Sequence, residues 1–265
     1  MSIASGVKLG DVSDRAVEDQ ILAQILSKTD IMNCLEPGET SALTTQLQVS
    51  EFTAGQTIFA QGEPGDQLYV IVAGKVKITL RGSGDRENLR AVIGPMDLLG
   101  EQAVFDPGPR TRTATAITDV RAVWLDRTTL RTWIADRPVI AERLLQALTR
   151  RIQATEDELV ELVFSDVAGR VARQLLLLAR RFGTRQGAAL RVMHELSQDE
   201  MAQLVGADRA SVNKALRKFT DRGWILVDGK SVLITDVAAL AQRAAARSGS
   251  GAYANRRRRP LRATA

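Results

Sequence analysis

The chain has 265 residues, of which 45% are hydrophobic and 25% are charged, and its formal net charge at neutral pH is +5. This balance is typical of a soluble globular protein with one large or two ordinary domains. The longest apolar run, residues 68–73, is far shorter than the roughly 20 residues of a membrane helix, which excludes a membrane-spanning helix.

Cys34 and His194 are the only cysteine and histidine of the chain. A single cysteine excludes an internal disulfide and a four-cysteine zinc or iron–sulfur site, and a single histidine excludes a histidine cluster for a metal. The N-terminal residues contain no apolar segment of the kind that signal peptides carry. These observations predict a cytoplasmic protein without a bound metal and without a membrane partner.

The charge is distributed unevenly along the chain. Residues 1–165 hold 17 Lys and Arg against 23 Asp and Glu, residues 166–245 hold 13 against 8, and residues 246–265 hold six Arg and no acid. A basic third beside an acidic body predicts a polyanion, such as nucleic acid, as the partner of that third alone. A basic tail that only improves solubility is the alternative.

The first part of the chain is predicted to be an antiparallel β-roll after a short extension. Residues 1–28 form the extension, which is polar at first and helical around residues 17–26. Residues 29–137 hold short β-rich segments separated by Gly, Pro and Asp turns, and this alternation is typical of a roll or barrel. The predicted strands are residues 57–60, 68–72, 75–80, 89–93, 113–117 and 121–125.

Residues 138–164 are predicted to form a long dimerisation helix. Seven residues, all but one of them apolar, recur at alternating spacings of four and three: Ala141, Leu145, Leu148, Ile152, Thr155, Leu159 and Leu162. This narrow seam, kept for three heptads, favours a two-chain coiled coil and therefore a homodimer. Thr155 is its one polar member, which either sets the register or contacts a group at the dimer axis.

Residues 165–245 are predicted to form a winged helix-turn-helix. A helix begins at Asp166 and is closed by Gly183 as a C-cap, and a short strand covers residues 190–193. The residues 197–200 (SQDE) form a capping box for a helix that ends near Gly206, and Asp208 caps a second helix. A hairpin over residues 225–234, with Asp228 and Gly229 as its turn, supplies the wing. Residues 246–265 are predicted to be a disordered basic tail.

The second helix of this motif carries candidate DNA contacts. Arg209 can donate two hydrogen bonds to guanine O6 and N7, and Lys214 can reach a second base edge. Ser197, Gln198 and Lys230 are placed to hold phosphates. The polar residues on the outward faces of the helix are Arg209, Ser211, Asn213, Lys214, Arg217 and Lys218. A helical hairpin with a solvated basic face is the alternative interpretation.

A candidate phosphate-binding segment lies inside the predicted roll. Gly100 allows backbone N–H groups to approach an anion, Arg110 can neutralise a phosphate, and Thr111 can donate one more hydrogen bond to it. Glu101 can accept a hydrogen bond from a ribose hydroxyl. A surface salt bridge between the arginine and the glutamate is the alternative.

Taken together, these residues resemble the family of cyclic-AMP receptor protein and FNR transcription regulators. The resemblance covers about residues 30–240 and rests on residues 62–66 (GEPGD), 74–76 (GKV), 100–101, 110–111, 150–151 with 155, 166–170 (DVAGR) and 203–216 (QLVGADRASVNKAL). Residues 105–111 (FDPGPRT) and 182–184 (FGT) look most like the cyclic-AMP-responsive regulators of actinobacteria.

The resemblance implies an α+β fold and a homodimer that binds cyclic AMP, palindromic double-stranded DNA and RNA polymerase, and it implies no enzyme activity. It places Gly100 and Glu101 at the ribose and phosphate, and Arg110 and Thr111 at the cyclic phosphate. From the long helix, Thr155 contacts the adenine. Arg151 and Glu156, the latter from the partner subunit, complete the implied ligand site.

Two positions depart from the family pattern. Glu156 replaces a small hydroxyl or amide residue, so it can accept from an adenine amino group, weaken binding or admit another nucleotide. Ala210 replaces a glutamate that accepts from cytosine N4, which predicts an altered preference at one base pair of each half-site. A regulator that is ligand-independent or answers another nucleotide, such as a cyclic dinucleotide, is the alternative function, and a redox sensor that acts through Cys34 is a further one.

Overall fold

The computed structural model describes residues 43–82 and 87–246, except for the side chains of residues 103, 158 and 161–163. The predictions for residues 1–28, for Cys34 and for residues 247–265 of the basic tail lie outside the described residues. Internal contacts divide the chain into two compact units, with the division between residues 154 and 155.

Within the described residues of the first unit, eight antiparallel strands form two four-stranded sheets. One sheet has the order β1-β8-β3-β6 and the other the order β2-β7-β4-β5. The strands are β1 (Gln48–Phe52), β2 (Thr57–Phe59), β3 (Gln67–Ala73), β4 (Val76–Arg81), β5 (Glu87–Ile93), β6 (Leu98–Leu99), β7 (Thr113–Ala116) and β8 (Val120–Asp126). The predicted antiparallel roll is confirmed; β1 and β6 are not among the predicted strands.

The longest apolar run of the sequence is the central strand β3, which is buried on both faces. Leu68, Val70 and Val72 contribute to one hydrophobic cluster, whereas Tyr69 and Ile71 contribute to the other. Successive side chains of a strand point to opposite faces, so one strand divides the interior of the roll into two cores. This explains why the run is continuous rather than alternating.

From residue 48 to residue 164, the described chain contains the helices α1 (Glu101–Phe105), α2 (Arg127–Asp136) and α3 (Val139–Phe164), the last of which continues past the division between the two units. Helix α2 lies where the sequence predicts only the end of the roll. It begins after Asp126, whose Oδ1 accepts a hydrogen bond from the Thr129 N–H at 2.7 Å, and it buries Leu130 and Trp133. Throughout the described residues, each helix is too short or too polar to cross a lipid bilayer.

Helix α3 has an uncovered apolar seam. Leu145, Ile152 and Leu159 of the predicted heptad pattern are 64%, 60% and 58% exposed, although each is a large aliphatic residue. On another face of the helix, Ile140 and Leu144 are buried in the core of the roll. The side chain of Leu162, the last predicted seam residue, lies outside the described residues.

The second unit is a winged helix-turn-helix, as predicted. One four-stranded sheet has the order β11-β12-β10-β9, and four helices accompany it in the residues described. The elements are α4 (Val167–Phe182), β9 (Gly183–Gln186), β10 (Ala189–Met193), α5 (Gln198–Val205), α6 (Arg209–Asp221), β11 (Ile225–Asp228), β12 (Ser231–Ile234) and α7 (Val237–Ala245). Strand β9 and helix α7 are not predicted by the sequence patterns.

The structure confirms one local prediction of this unit and corrects another. Gly183 is the C-cap of α4, as predicted; its backbone is extended (φ −79°), and a glycine is needed because a Cβ would lie 2.3 Å from the Ala179 carbonyl oxygen. The hairpin turn is shifted by one residue, because Asp228 pairs with Ser231 and leaves Gly229, at φ +57°, as the first turn residue.

His194 has a structural position. It is 6% exposed, and its Nδ1 accepts a hydrogen bond from the Leu196 N–H at 3.1 Å. The hydrogen bond from the backbone satisfies this buried nitrogen, as is usual for buried polar groups, and indicates a structural role for His194.

Asp166 links the start of helix α4 to helix α7 in the second unit. Its carboxylate accepts hydrogen bonds from the Gly169 N–H at the start of α4 and from Arg243 of α7. Burial acts to raise the pKa of Asp166, but these hydrogen bonds and the positive charge of Arg243 outweigh burial and hold the pKa below its ordinary value. The carboxylate is therefore charged at neutral pH.

Candidate functional site

A cavity of about 310 Å³ lies in the first unit beside the short helix α1. Gly100 precedes α1 with a left-handed backbone (φ 88°), which few other residues adopt without strain. The apolar part of the wall consists of Phe59, Ile78, Ile93, Leu98 and Leu99; its polar and charged side chains are Glu101, Gln102, Asp106, Arg110, Thr111, Arg112 and Arg151. This cavity therefore contains all four predicted residues 100, 101, 110 and 111, together with Arg151.

Arg110 is the central cation of the cavity, and it is only 5% exposed. Its Nη1 donates to the Gly100 carbonyl at 3.1 Å, and its Nη2 donates to the Gln67 carbonyl at 3.0 Å. The guanidinium lies over the Phe59 ring, 4.2 Å from the ring centroid, and its Nε has no hydrogen-bond partner among the described residues. The side chain is thus fixed in position while part of its donor capacity is unused.

Two glycines provide the space for this guanidinium. A Cβ on Gly65 would lie 2.2 Å from the Arg110 Nε, and one on Gly100 would lie 2.5 Å from its Nη1. Any larger residue at either position would displace the arginine. The sequence predicts a role for Gly100 but not for Gly65, although Gly65 belongs to the 62–66 segment.

Burial lowers the pKa of Arg110 below its ordinary value, whereas Tyr69, Asp66, Glu101 and Glu63 act to raise it. The ordinary pKa of arginine is so high that the group stays charged in proteins. No carboxylate forms a salt bridge with Arg110 within the described residues. A buried cation held mainly by carbonyl oxygens is favourable for binding an anion.

Glu101 is paired with Arg151 of α3 rather than with Arg110. The Glu101 Oε1 and the Arg151 Nη1 are 2.6 Å apart, and the glutamate side chain is 15% exposed. The alternative of a surface pair between Glu101 and Arg110 is therefore wrong, because Arg110 is buried against the backbone. Thr111 donates from its hydroxyl to the Gln102 Oε1 at 2.7 Å, and Gln102 is a cavity residue that the sequence did not indicate.

Arg112 is a second cavity residue that the sequence did not indicate. It lines the cavity, and its pKa is lowered first by burial and then by the positive charges of Arg151 and Arg90, while Glu101 acts in the opposite direction. The sequence feature that could have indicated Arg112 is the alternation of arginine and threonine in residues 110–113. Thr155 and Glu156, the remaining predicted ligand residues, are exposed on α3 and belong to the second unit.

The predicted DNA-contacting residues of the second unit are organised around Gln198. Its Oε1 accepts hydrogen bonds from the Arg209 Nε at 3.2 Å, the Arg209 Nη2 at 3.1 Å and the Asn213 Nδ2 at 3.1 Å. The Arg209 Nη1 also donates to Asp199 at 3.2 Å. Gln198 and the recognition helix α6 are thus joined into one polar cluster.

The other predicted contacts are distributed around this cluster. The Ser197 hydroxyl accepts from the Glu200 N–H at 3.2 Å and donates to the Glu200 carboxylate at 3.0 Å, so the predicted capping box is present. Lys214 and Lys230 are exposed, and Ser211 is partly buried near the start of α6. Exposed lysine side chains on such a surface favour a polyanionic partner.

Arg170 of α4 holds the turn between the two helices of the motif. Its Nε donates to the Val205 carbonyl and its Nη2 to the Gly206 carbonyl, both at 3.1 Å. Gly206 ends α5 with a left-handed backbone (φ 67°). The arginine therefore satisfies carbonyls at the end of α5 and ties α5 to α4, which gives Arg170 of the 166–170 segment a structural role.

Comparison with known proteins agrees with both units. The family described as "Cyclic nucleotide-binding domain" matches residues 49–137, and "Crp-like helix-turn-helix domain" matches residues 169–243. The CRP-like cAMP-activated global transcriptional regulator of Mycobacterium tuberculosis is 58% identical over 221 residues, which cover 83% of this chain and 99% of the relative. The chain belongs to the CRP/FNR family of transcription regulators.

Two Thermus thermophilus proteins extend the comparison. The Cyclic AMP receptor protein is 30% identical over 206 residues, which cover 78% of this chain and 92% of the relative. The crystal structure of a CRP-family transcriptional regulator from the same organism is 26% identical, covers 74% of this chain and 97% of its own, and has a TM-score of 0.63. The predicted family and α+β fold are confirmed.

As a CRP/FNR-family member, the chain is a transcription regulator with a cyclic-nucleotide-binding domain and a DNA-binding domain. The family consists of regulators rather than enzymes. Among the residues described, no group of His, Cys, Asp and Glu is arranged to hold a metal ion.

Proposed function

We propose that the protein is a homodimeric regulator that binds cyclic AMP and, in response, a palindromic DNA site. The observation that carries the proposal is the buried guanidinium of Arg110 in a cavity of about 310 Å³ that also holds a carboxylate, Glu101. This size is at the lower end of small-molecule sites and suits one nucleotide. The 58% identical relative, whose name includes cAMP activation, supports the same ligand.

The ligand's chemical groups have matching partners in the cavity. Arg110 would hold the cyclic phosphate with the N–H groups that it does not give to carbonyl oxygens, and the Thr111 hydroxyl would turn from Gln102 to donate to the same group. Glu101 would accept from the ribose hydroxyl, exchanging part of its interaction with Arg151. The apolar wall formed by residues such as Ile78 and Leu98 would cover the base. Thr155, and Glu156 from the partner subunit, would complete the site.

Calorimetry of the full chain with cyclic AMP, cyclic GMP and cyclic dinucleotides tests the ligand assignment. We expect cyclic AMP to bind with one site per chain and more tightly than the other nucleotides. Tighter binding of a cyclic dinucleotide would show that the ligand is not cyclic AMP, while the assignment as a ligand-responsive regulator would stand. Absence of any binding would favour a ligand-independent regulator.

On the DNA side, α6 would enter the major groove with Arg209 contacting guanine, while Lys214 would reach a second base edge. Gln198, Ser197 and Lys230 would contact phosphates, and Ser211 and Asn213 would add polar contacts near the groove. In a homodimer, two such helices about 34 Å apart would match half-sites one helical turn apart. The family relationship supports RNA polymerase as a protein partner, and DNA as partner supports a cytoplasmic location.

Nucleotide binding would favour one of two arrangements of the dimer, and the coupling would equal its difference in affinity for the two, typically 1–3 kcal/mol. Selection of bound sequences from a random DNA pool, followed by anisotropy titration with and without cyclic AMP at two salt concentrations, tests this. We expect a palindromic site that binds roughly 5- to 150-fold more tightly with cyclic AMP. Equal affinity in both conditions would contradict the coupling.

A further inference from the structure

The uncovered seam of α3 fits a second copy of the same chain. Leu145, Ile152 and Leu159 recur every seven residues, and all three are more than half exposed. An apolar stripe with a seven-residue period is the contact surface of a coiled coil, and it pairs best with an identical stripe. Residues that fix the register of this seam act within the homodimer of the proposed function, on which their role rests.

The heptad register of α3 follows directly from the seam. Leu145, Ile152 and Leu159 take position a, and Leu148 and Thr155 take position d. Position g, just before a, is then Leu144, Arg151 and Glu158, while position e, just after d, is Thr149, Glu156 and Val163. In a parallel two-stranded coiled coil, each g residue lies beside the e residue five positions later on the partner helix.

We propose that Arg151 of one chain forms an ion pair with Glu156 of the partner subunit, twice in each dimer. Of the g–e pairs in these heptads, this is the one with opposite charges; Leu144 with Thr149 and Glu158 with Val163 are not charge pairs. The pair therefore selects the parallel, in-register arrangement, because a helix shifted by one heptad would lose both pairs.

The carboxylate of Glu156 is available for an ion pair with such a cation. Its side chain is exposed and makes no hydrogen bond or ion pair with the residues that the structure describes. The sequence holds no Lys or Arg from residue 152 to residue 169, so Glu156 has no cation three or four residues away on its own helix. Arg151 of a partner chain supplies it.

Arg151 is also placed to link the dimer seam to the cavity. It lines the cavity and pairs with Glu101 at 2.6 Å, and the preceding g residue, Leu144, is buried in the roll. The g positions of α3 thus lie between the roll and the seam. One guanidinium therefore serves Glu101 of its own chain and Glu156 of the partner subunit.

Subunit exchange between two oppositely charged variants of the full chain tests the pair without nucleotide or DNA. In Arg151→Glu homodimers, position 151 of one chain and position 156 of its partner would both be negatively charged. In Glu156→Lys homodimers, both of these positions would be positively charged. In the mixed dimer, both pairs are again of opposite charge. With differently tagged chains mixed in equal amounts, native mass spectrometry should show about tenfold more mixed dimer than either homodimer, against about twofold for random pairing.

Asp157→Lys is the matched control, because it makes the same charge change one residue later at position f, away from the seam. Mixed with Arg151→Glu, it should give near-random pairing. Random pairing of Arg151→Glu with Glu156→Lys, or a wild-type chain that stays monomeric, would overturn the proposal. If either charge-reversed chain fails to fold, the salt dependence of dimer dissociation decides: it should weaken in Glu156→Gln and persist in Asp157→Asn, and equal behaviour would refute the pair.

A consequence for regulation follows if the cavity binds cyclic AMP. A ribose hydroxyl that donates to Glu101 would release Arg151 toward Glu156 of the partner subunit, so the nucleotide should strengthen the wild-type dimer several-fold, and less in Glu156→Gln. Equal strengthening in both would refute this link. Absence of nucleotide binding in calorimetry would instead refute the proposed function and leave the exchange result standing.

Discussion

Replacing Arg110 by glutamine tests the ligand cavity most directly. The guanidinium has five N–H groups, of which one on Nη1 and one on Nη2 are used by the carbonyls of Gly100 and Gln67. Three N–H groups, including that of Nε, therefore remain for a bound anion. Glutamine removes the positive charge, and its amide is too short to reach the same place.

The expected loss of affinity follows from two hydrogen bonds to the phosphate. A hydrogen bond to a charged group contributes about 1.5–3 kcal/mol. We use the lower figure because the negative charges of Glu101 and Asp66 already interact with Arg110 and offset part of its attraction for the phosphate. Two such bonds give about 3 kcal/mol, or roughly 100-fold weaker binding of cyclic AMP. The unliganded variant should lose only about 1–2 kcal/mol of stability, because two carbonyls lose their donors while the cost of burying a charge disappears.

Isothermal titration calorimetry with cyclic AMP measures the affinity, and thermal unfolding without nucleotide measures the fold. The control is Arg131→Ala, which removes an arginine from the exposed face of α2 and should change neither quantity. Unchanged affinity in a folded Arg110→Gln protein would refute the assignment of Arg110 to the phosphate.

Three further outcomes are expected. Arg209→Ala should cost about 1–3 kcal/mol on the selected DNA site and little on random DNA in anisotropy titrations, whereas equal losses would make Arg209 a phosphate contact. Gly65→Ala should displace Arg110 and weaken nucleotide binding at least tenfold in calorimetry, while Gly82→Ala, whose Cβ would have no neighbour within 4 Å and which does not line the cavity, should not. The folded-state pKa of Asp166 is depressed, so its contribution to the free energy of unfolding is present above the unfolded-state pKa of about 3.9 and is lost as pH falls through the folded-state pKa. Urea unfolding should therefore show a smaller acid-induced loss of stability in Asp166→Asn than in the wild type. An unchanged loss would refute this role of Asp166.

The sequence predicts best those features that depend on neighbouring residues. The capping box at Ser197 and the N-cap at Asp208 form as predicted, because each involves residues three positions apart, and a helix begins after Asp166 as predicted. The central strand β3 is also predicted, since a short apolar run bounded by turn residues is typical of a buried strand. Strand β9 is missed because its residues, Gly183–Gln186, are polar, and only pairing with β10 makes them a strand.

The partners of the cavity residues are harder to predict, because they come from distant parts of the chain. Glu101 pairs with Arg151, 50 residues later, and Arg110 donates to Gln67, 43 residues earlier. The sequence indicates that Glu101 and Arg110 belong to one segment, but nothing in it shows that one faces α3 and the other the backbone of β3. Their partners are decided by how the roll folds.

The hydrogen bonds of Arg209 change the role expected of Gln198. Three of the five N–H groups of this arginine are used, two by Gln198 and one by Asp199, which leaves one on each terminal nitrogen. Two N–H groups are what a bidentate contact to guanine requires, so Arg209 can read a base while it stays held. Holding a long side chain before binding reduces the conformational entropy lost on contact. Gln198 would therefore serve DNA recognition by positioning Arg209. Its side-chain N–H₂ group is the part that can donate to a phosphate, because its carbonyl oxygen is an acceptor and already accepts from Arg209 and Asn213.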